Sequence, residues 1–157
     1  MELKRSPAEL ETGVRTVAAF ANTEGGHLIF GVRDSGEIIG VTVGQTTRER
    51  VVNMIMDNTD PVIYPSVEYV EAQGNTIIVV TVEESDNKPH LAFGRAYRRV
   101  GAVDARMTRD EYERLLLQRR QVEFDRQPVE EATYADLDEG KVQDFLRRRQ
   151  GAYPGTT

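Results

Sequence analysis

Apolar and polar positions alternate along this chain in patterns that change period several times. Leu10, Val14, Val17, Ala18 and Ala21 recur at helical spacing. Ser6-Pro7-Ala8-Glu9 precedes them with a cap, a proline at the first helical position and a capping-box glutamate. The spacing predicts a helix from Pro7 to about Asn22, where Gly25-Gly26 stops it. His27 to Val32 is nearly continuous in apolar residues and reads as a strand buried on both faces. Asp34-Ser35-Gly36 then turns the chain into a second strand, Glu37 to Val43, forming a hairpin. Thr47 to about Asn58 reads as a helix with Val51, Met54 and Ile55 inward, ended by Asp60-Pro61.

Val67 to Ala72 and Thr76 to Val82 form a further hairpin around Gln73-Gly74-Asn75. The β-branched run from Ile77 to Val80 marks a central strand. Glu83 to Pro89 is a polar loop, and Ala96 to Val100 is a short arginine-bearing strand. Thr108-Arg109-Asp110-Glu111 is a second capping box, opening a helix to about Arg120 with Leu115 and Leu116 inward. The order predicts an α+β fold: a mixed, largely antiparallel sheet with flanking helices. Residues 1–120 form the domain and 121–135 a polar linker. Residues 136–157 form a C-terminal helix and tail, capped by Asp138 and carrying Val142, Phe145 and Leu146.

Composition narrows the chemistry. There is no cysteine among 157 residues, so thiolate chemistry and disulfides are excluded. His27 and His90 are the only histidines and read as structural. No apolar run approaches the roughly 20 residues of a membrane span, and the N-terminus lacks a signal segment. A cytoplasmic protein without a membrane partner is expected. The net charge of −6 argues mildly against a nucleic-acid partner. Its distribution argues the other way. Residues 37–87 carry 2 basic and 9 acidic side chains, whereas residues 88–120 carry 9 basic and 4 acidic. The plain alternative is that these arginines point apart and pair with Asp104, Glu111 or Glu113.

No phosphate loop, dinucleotide fingerprint or nucleophile elbow is present. The strongest local pattern is Phe20-Ala21-Asn22-Thr23-Glu24-Gly25-Gly26, running through Gly31-Val32 to Asp34 and Gly36. Physically, Asn22 and Thr23 close a helix, Gly25 and Gly26 turn the backbone, and Gly31 admits a close neighbour. A tight helix-to-strand corner would account for it by itself. With Glu2-Leu3-Lys4, Lys88-Pro89 and Tyr97-Arg98-Arg99-Val100-Gly101, however, the pattern resembles the Schlafen-type AlbA domain. That domain, also labelled divergent AAA, occurs in transcriptional regulators and RecG-related proteins.

The resemblance implies a nucleic-acid-binding module of a transcriptional regulator, with DNA ahead of RNA. Lys4, Lys88, Arg95, Arg98, Arg99, Arg106 and Arg109 are the candidate phosphate contacts. Because Arg98 and Arg99 are adjacent on a strand, at most one of them joins a flat patch. The resemblance also implies a rival, a ribonuclease using Mg2+ or Mn2+ held by Glu2 and Asp34. Those two carboxylates would then stand about 4 to 6 Å apart. A third such carboxylate is expected a few residues before Glu2, and for Asp34 a plain turn role suffices. ATP binding is a further alternative that rests on the divergent AAA label alone. A homodimer is carried as an additional partner option.

Overall fold

A computed structural model describes residues 1–126, of which residues 1–121 form one compact unit. The C-terminal helix and tail expected over 136–157, and most of the expected linker, lie outside the described residues. The chain opens with β1 (Glu2–Lys4), a single 3-10 turn (Pro7–Glu9) and α1 (Leu10–Ala21). β2 (Gly26–Phe30) and α2 (Thr47–Asp57) follow, then β3 (Thr59–Asp60), β4 (Ser66–Ala72) and β5 (Asn75–Val82). β6 (Leu91–Ala92), β7 (Arg95–Val100), β8 (Val103–Arg106) and α3 (Arg109–Arg126) complete the described residues. The α+β class holds.

The strands divide between two four-stranded sheets, ordered β1-β2-β5-β4 and β3-β6-β7-β8. Among the described residues only β1 and β2 pair in parallel. β5 is interior, as its β-branched run predicts. Its register sets Val80 beside Leu28 and Ile78 beside Phe30, all four fully buried. The other face of β2 is more open: His27 is exposed and Ile29 half-buried. The strand is therefore buried on one face rather than both, because α1 covers only one side of this sheet.

α1 packs against strands of both sheets. Beyond the predicted stripe of Leu10, Val14, Val17, Ala18 and Ala21, it also buries Thr16, Ala19 and Phe20. A helix buried on nearly all sides is what two covering sheets demand. Ser6 caps the 3-10 turn by accepting from the Ala8 amide, while Glu9 reaches back to the Arg5 amide at 2.8 Å. α2 contributes Val51 and Ile55 to the same core.

Three expectations need correction. Glu37 to Val43 is not a strand; only Val32 and Ile38 form a bridge. Gly31 (φ +99°) and Gly40 (φ +74°) bend the backbone, and the Ile39 and Gly40 amides both donate to the Gly31 carbonyl. That folds the segment across the strand end instead of along it. α3 continues to Arg126, so residues expected to begin a linker at 121 are helical. Leu115 and Leu116 are only half-buried, and α3 buries no residue fully. Its Thr108–Glu111 capping box does form, with the Thr108 amide 2.9 Å from the Glu111 carboxylate. Among the described residues no helix is long and apolar enough to cross a membrane.

The turn after α1 needs its glycines. Gly25 sits at φ +75°, and a Cβ there would lie 2.7 Å from the Val82 carbonyl oxygen. A Cβ on Gly26 would lie 2.8 Å from the Phe20 ring. Gly74, in the β4–β5 turn, has a similar φ of +74° but open space around it. Gly74→Ala should therefore cost about 1 kcal/mol, the left-handed penalty alone. Gly25→Ala should cost about 2 kcal/mol, because overpacking against fixed backbone adds to it. The difference in urea midpoint between the two variants measures the clash.

Candidate nucleic-acid interface

Glu2 lies on β1 opposite Leu28, with one carboxylate oxygen 2.6 Å from Arg99 Nη2 and the other 3.2 Å from Lys4 Nζ. Arg99 also reaches Asp104 Oδ1 at 2.6 Å and donates from Nε to the Gly101 carbonyl at 3.1 Å. The Thr16 hydroxyl donates to the second Asp104 oxygen at 2.5 Å. The guanidinium lies 5.2 Å from the Phe20 ring centroid, and the Arg99 side chain is only 9% exposed. Two acids and two bases thus form a neutral network in which every carboxylate oxygen has a partner.

Burial by itself would push the Glu2 carboxyl up, but hydrogen bonds from Arg99 and Lys4 outweigh it and hold the group below its ordinary value. Burial likewise works against the Arg99 charge, and Glu2 and Asp104 reverse the effect, raising its pKa. The network cross-links β1, α1, β7 and β8. Register explains the Arg99–Asp104 half, since the two residues face each other across the β7–β8 hairpin. The Glu2 and Thr16 halves join residues far apart in the chain, and no local pattern signals them.

Asp34 sits elsewhere. β1 runs parallel to β2 and reaches Phe30 at Lys4, whereas Asp34 lies in the exposed turn beyond that strand end. Glu2 is set further back, beside Leu28. Both Glu2 carboxylate oxygens are engaged by cations, one by Arg99 and the other by Lys4. Among the described residues no three of His, Asp and Glu gather as a metal-ligand group.

The Asn-Thr-x-Gly-Gly motif acts as a clamp. The Asn22 amide donates to the carbonyls of His90 and Tyr97, each at 2.9 Å, and its oxygen accepts from the His90 amide at 2.7 Å. The Thr23 hydroxyl accepts from the Arg99 amide at 2.9 Å and donates to the Ala19 carbonyl at 2.8 Å. The end of α1 is thereby tied to β7 and to the chain entering β6. His90 is buried, with Nδ1 2.7 Å from the Pro61 carbonyl and Nε2 2.6 Å from Ser85 Oγ. Burial favours the neutral ring and holds its pKa below the ordinary value, although the Pro61 carbonyl works the other way.

The seven candidate phosphate contacts separate into three groups. Lys4 and Arg99 belong to the interior network. Lys88 pairs with Glu84, Arg98 lies 3.3 Å from Glu111, and Arg109 lies 2.8 Å from Glu113. Arg98 and Arg99 do face opposite ways, as adjacent strand residues must. The third group is Arg95 and Arg106, both exposed and without an ion pair among the described residues.

Arg95 and Arg106 line one hollow of about 300 Å³ together with Arg109, Gly94, Thr108 and Tyr112. Arg109 is 88% exposed, so its i,i+4 partner Glu113 holds it only weakly. Three arginines, a threonine and a tyrosine lining one open hollow can donate hydrogen bonds to phosphate oxygens and meet the edge of a sugar or base.

The Schlafen, AlbA_2 family model matches residues 1–108. Among solved structures, the DIP2311 protein from Corynebacterium diphtheriae is 24% identical over 73% of this chain, with a TM-score of 0.58. The matched part is 20% of that protein, which shares the fold. The N-terminal domain of a RecG-related protein from Nitrosomonas europaea is 28% identical, covering 68% of this chain and 82% of that one, with a TM-score of 0.44. No curated protein matches the chain. The family model spans both the Asn22–Gly26 clamp and the Glu2–Arg99 network, and the chain belongs to the Schlafen AlbA_2 family, a family associated with nucleic acids.

Proposed function

We propose that residues 1–120 form a DNA-binding module of a transcriptional regulator, with the hollow between β7, β8 and α3 as the phosphate contact. One observation carries this reading: Arg95, Arg106 and Arg109 converge on one open hollow of an otherwise acidic chain. Family membership supplies the class of partner. Acidic surface elsewhere repels the same phosphates, which confines contact to this side. The contact is to backbone and positions the domain without reading sequence. The ribonuclease reading draws no support from this geometry, since Arg99 and Lys4 occupy the Glu2 oxygens. ATP binding has no phosphate loop behind it.

A salt titration of binding to duplex DNA tests the proposal. Arg95→Ala and Arg106→Ala should each lower the log–log salt slope by about one unit, with similar losses for unrelated sequences. Arg98→Ala, at a guanidinium already held by Glu111, should change the slope less. An identical titration with duplex RNA ranks the two nucleic acids. Failure of the wild-type protein to bind either one at about 50 mM salt, where phosphate contacts are strongest, would reject the proposal.

A further inference from the structure

The turn between β6 and β7 holds a residue that its backbone does not favour. Phe93 and Gly94 connect Ala92 to Arg95 as a two-residue hairpin loop, with φ of +50° and +76°. Both central residues lie in the left-handed region, which this loop type fills with Asn-Gly or Gly-Gly. A bulky aromatic there is a backbone outlier, and such outliers persist where the surroundings hold them and cluster at binding sites. The Phe93 amide is fixed by the Asn58 carbonyl at 3.0 Å. Phe93 does not belong to the buried core, and the residue is 38% exposed. Core packing therefore does not explain a phenylalanine at this site.

Two neighbours give the ring a use. The Arg15 guanidinium carbon lies 6.0 Å from the ring centroid, and Arg15 Nε is buried without a hydrogen-bond partner. The cation polarises the ring and supports it from α1. The next two residues in the chain, Gly94 and Arg95, line the basic hollow. An exposed aromatic residue therefore adjoins, in the chain, the segment that lines the basic hollow. Aromatic stacking with an electropositive backbone track is how proteins hold unpaired nucleotides, because every base has a π face. In a duplex that face is covered by its neighbours.

We propose that Phe93 is a stacking platform for an unpaired base of a nucleic acid whose phosphates lie on Arg95, Arg106 and Arg109. The inference rests on the hollow being the phosphate site. It adds that the ligand is single-stranded, or opened, at the point of contact. DNA and RNA share this chemistry. Stacking contributes affinity with little dependence on salt, whereas the arginines contribute the salt-dependent part.

The test measures binding of the full-length chain to labelled oligo-dT of about 12 nucleotides, within the usual site size for one domain. Oligo-rU, the same DNA strand with abasic positions, and a duplex serve as comparisons. Phe93→Gly removes the ring and suits the left-handed backbone; Phe93→Trp keeps a ring there. Phe93→Leu replaces the glycine variant should the latter not fold. Phe93→Gly should weaken oligo-dT binding about tenfold with the salt slope unchanged, and Phe93→Trp should bind at least as well as wild type. The abasic strand should bind wild type and Phe93→Gly equally. Loss of oligo-rU affinity in parallel would extend the site to RNA; loss for DNA alone would assign it to DNA. Equal oligo-dT affinity for wild type, Phe93→Gly and Phe93→Leu would overturn the stacking role while leaving the phosphate site standing. Absence of wild-type binding to every probe would overturn both.

Discussion

Asn22→Ala should destabilise the domain by about 4 kcal/mol, the largest loss expected from any single polar side chain here. The amide makes three hydrogen bonds to backbone groups of His90 and Tyr97, and Asn22 is buried. Alanine leaves those groups without partners, and each orphaned buried group costs roughly 1–3 kcal/mol. A typical domain has only about 5–15 kcal/mol of stability in total, so the fall in urea midpoint should be large. Asn22→Asp provides the internal check. It retains an acceptor for the His90 amide but turns a carboxylate toward two carbonyl oxygens, so it should be no better than alanine. If both variants unfold at the wild-type midpoint, the clamp does not hold the end of α1 to the β6–β7 sheet.

Arg99→Met is expected to cost about 3 kcal/mol. Removing one partner from a buried ionic network strands the others, and such losses run to about 3–5 kcal/mol. Partial solvent access to the Glu2 and Asp104 side chains, 22% and 21% exposed, places the value at the lower end. The substitution should also change the response to acid. The folded Glu2 carboxyl titrates below its ordinary value of 4.5, so its contribution is complete above that pH and disappears as pH falls through the lower folded value. Arg99→Met removes the main cause of the depression. The stability lost between pH 4.5 and the acid limb should therefore be smaller in Arg99→Met than in wild type, measured by urea unfolding at successive pH values. Arg99→Lys should rescue only in part, because an ammonium cannot bridge two carboxylates as a planar guanidinium does.

The two variants separate what the chain makes legible from what it hides. α1, α2, the β4–β5 hairpin and the capping box of α3 follow local rules of spacing, turn chemistry and caps, and they stand within a few residues of expectation. β3, β6 and β8 are two to four residues long, too short for any alternation to register. They exist because a second sheet completes the cover of α1, which is a tertiary demand. The apolar reading of Glu37 to Val43 failed because Gly31 and Gly40 let the backbone double back, an option that residue types alone leave open.

The candidate residues divide in the same way. Charge distribution located the basic segment, residues 88–120, and strand alternation separated Arg98 from Arg99. It could not show that Arg99 is spent on Glu2, because Glu2 lies at the opposite end of the domain sequence. Asn22 and Thr23 were recognisable as a helix end, yet their bonds to His90, Tyr97 and Arg99 cross between elements. Phe93 carried no signal at all, because only its backbone angle sets it apart.

A 15N-labelled amide titration of the full chain with a short single-stranded oligonucleotide, followed residue by residue, addresses the binding surface directly. The expected result is a contiguous set of shifted amides at Phe93–Arg95 and Arg106–Tyr112, with Glu2, Lys4 and Asp34 unmoved. Shifts centred on Glu2 and Asp34, or the absence of any shift at low salt, would contradict the assignment of nucleic-acid contact to the Arg95–Arg106–Arg109 hollow.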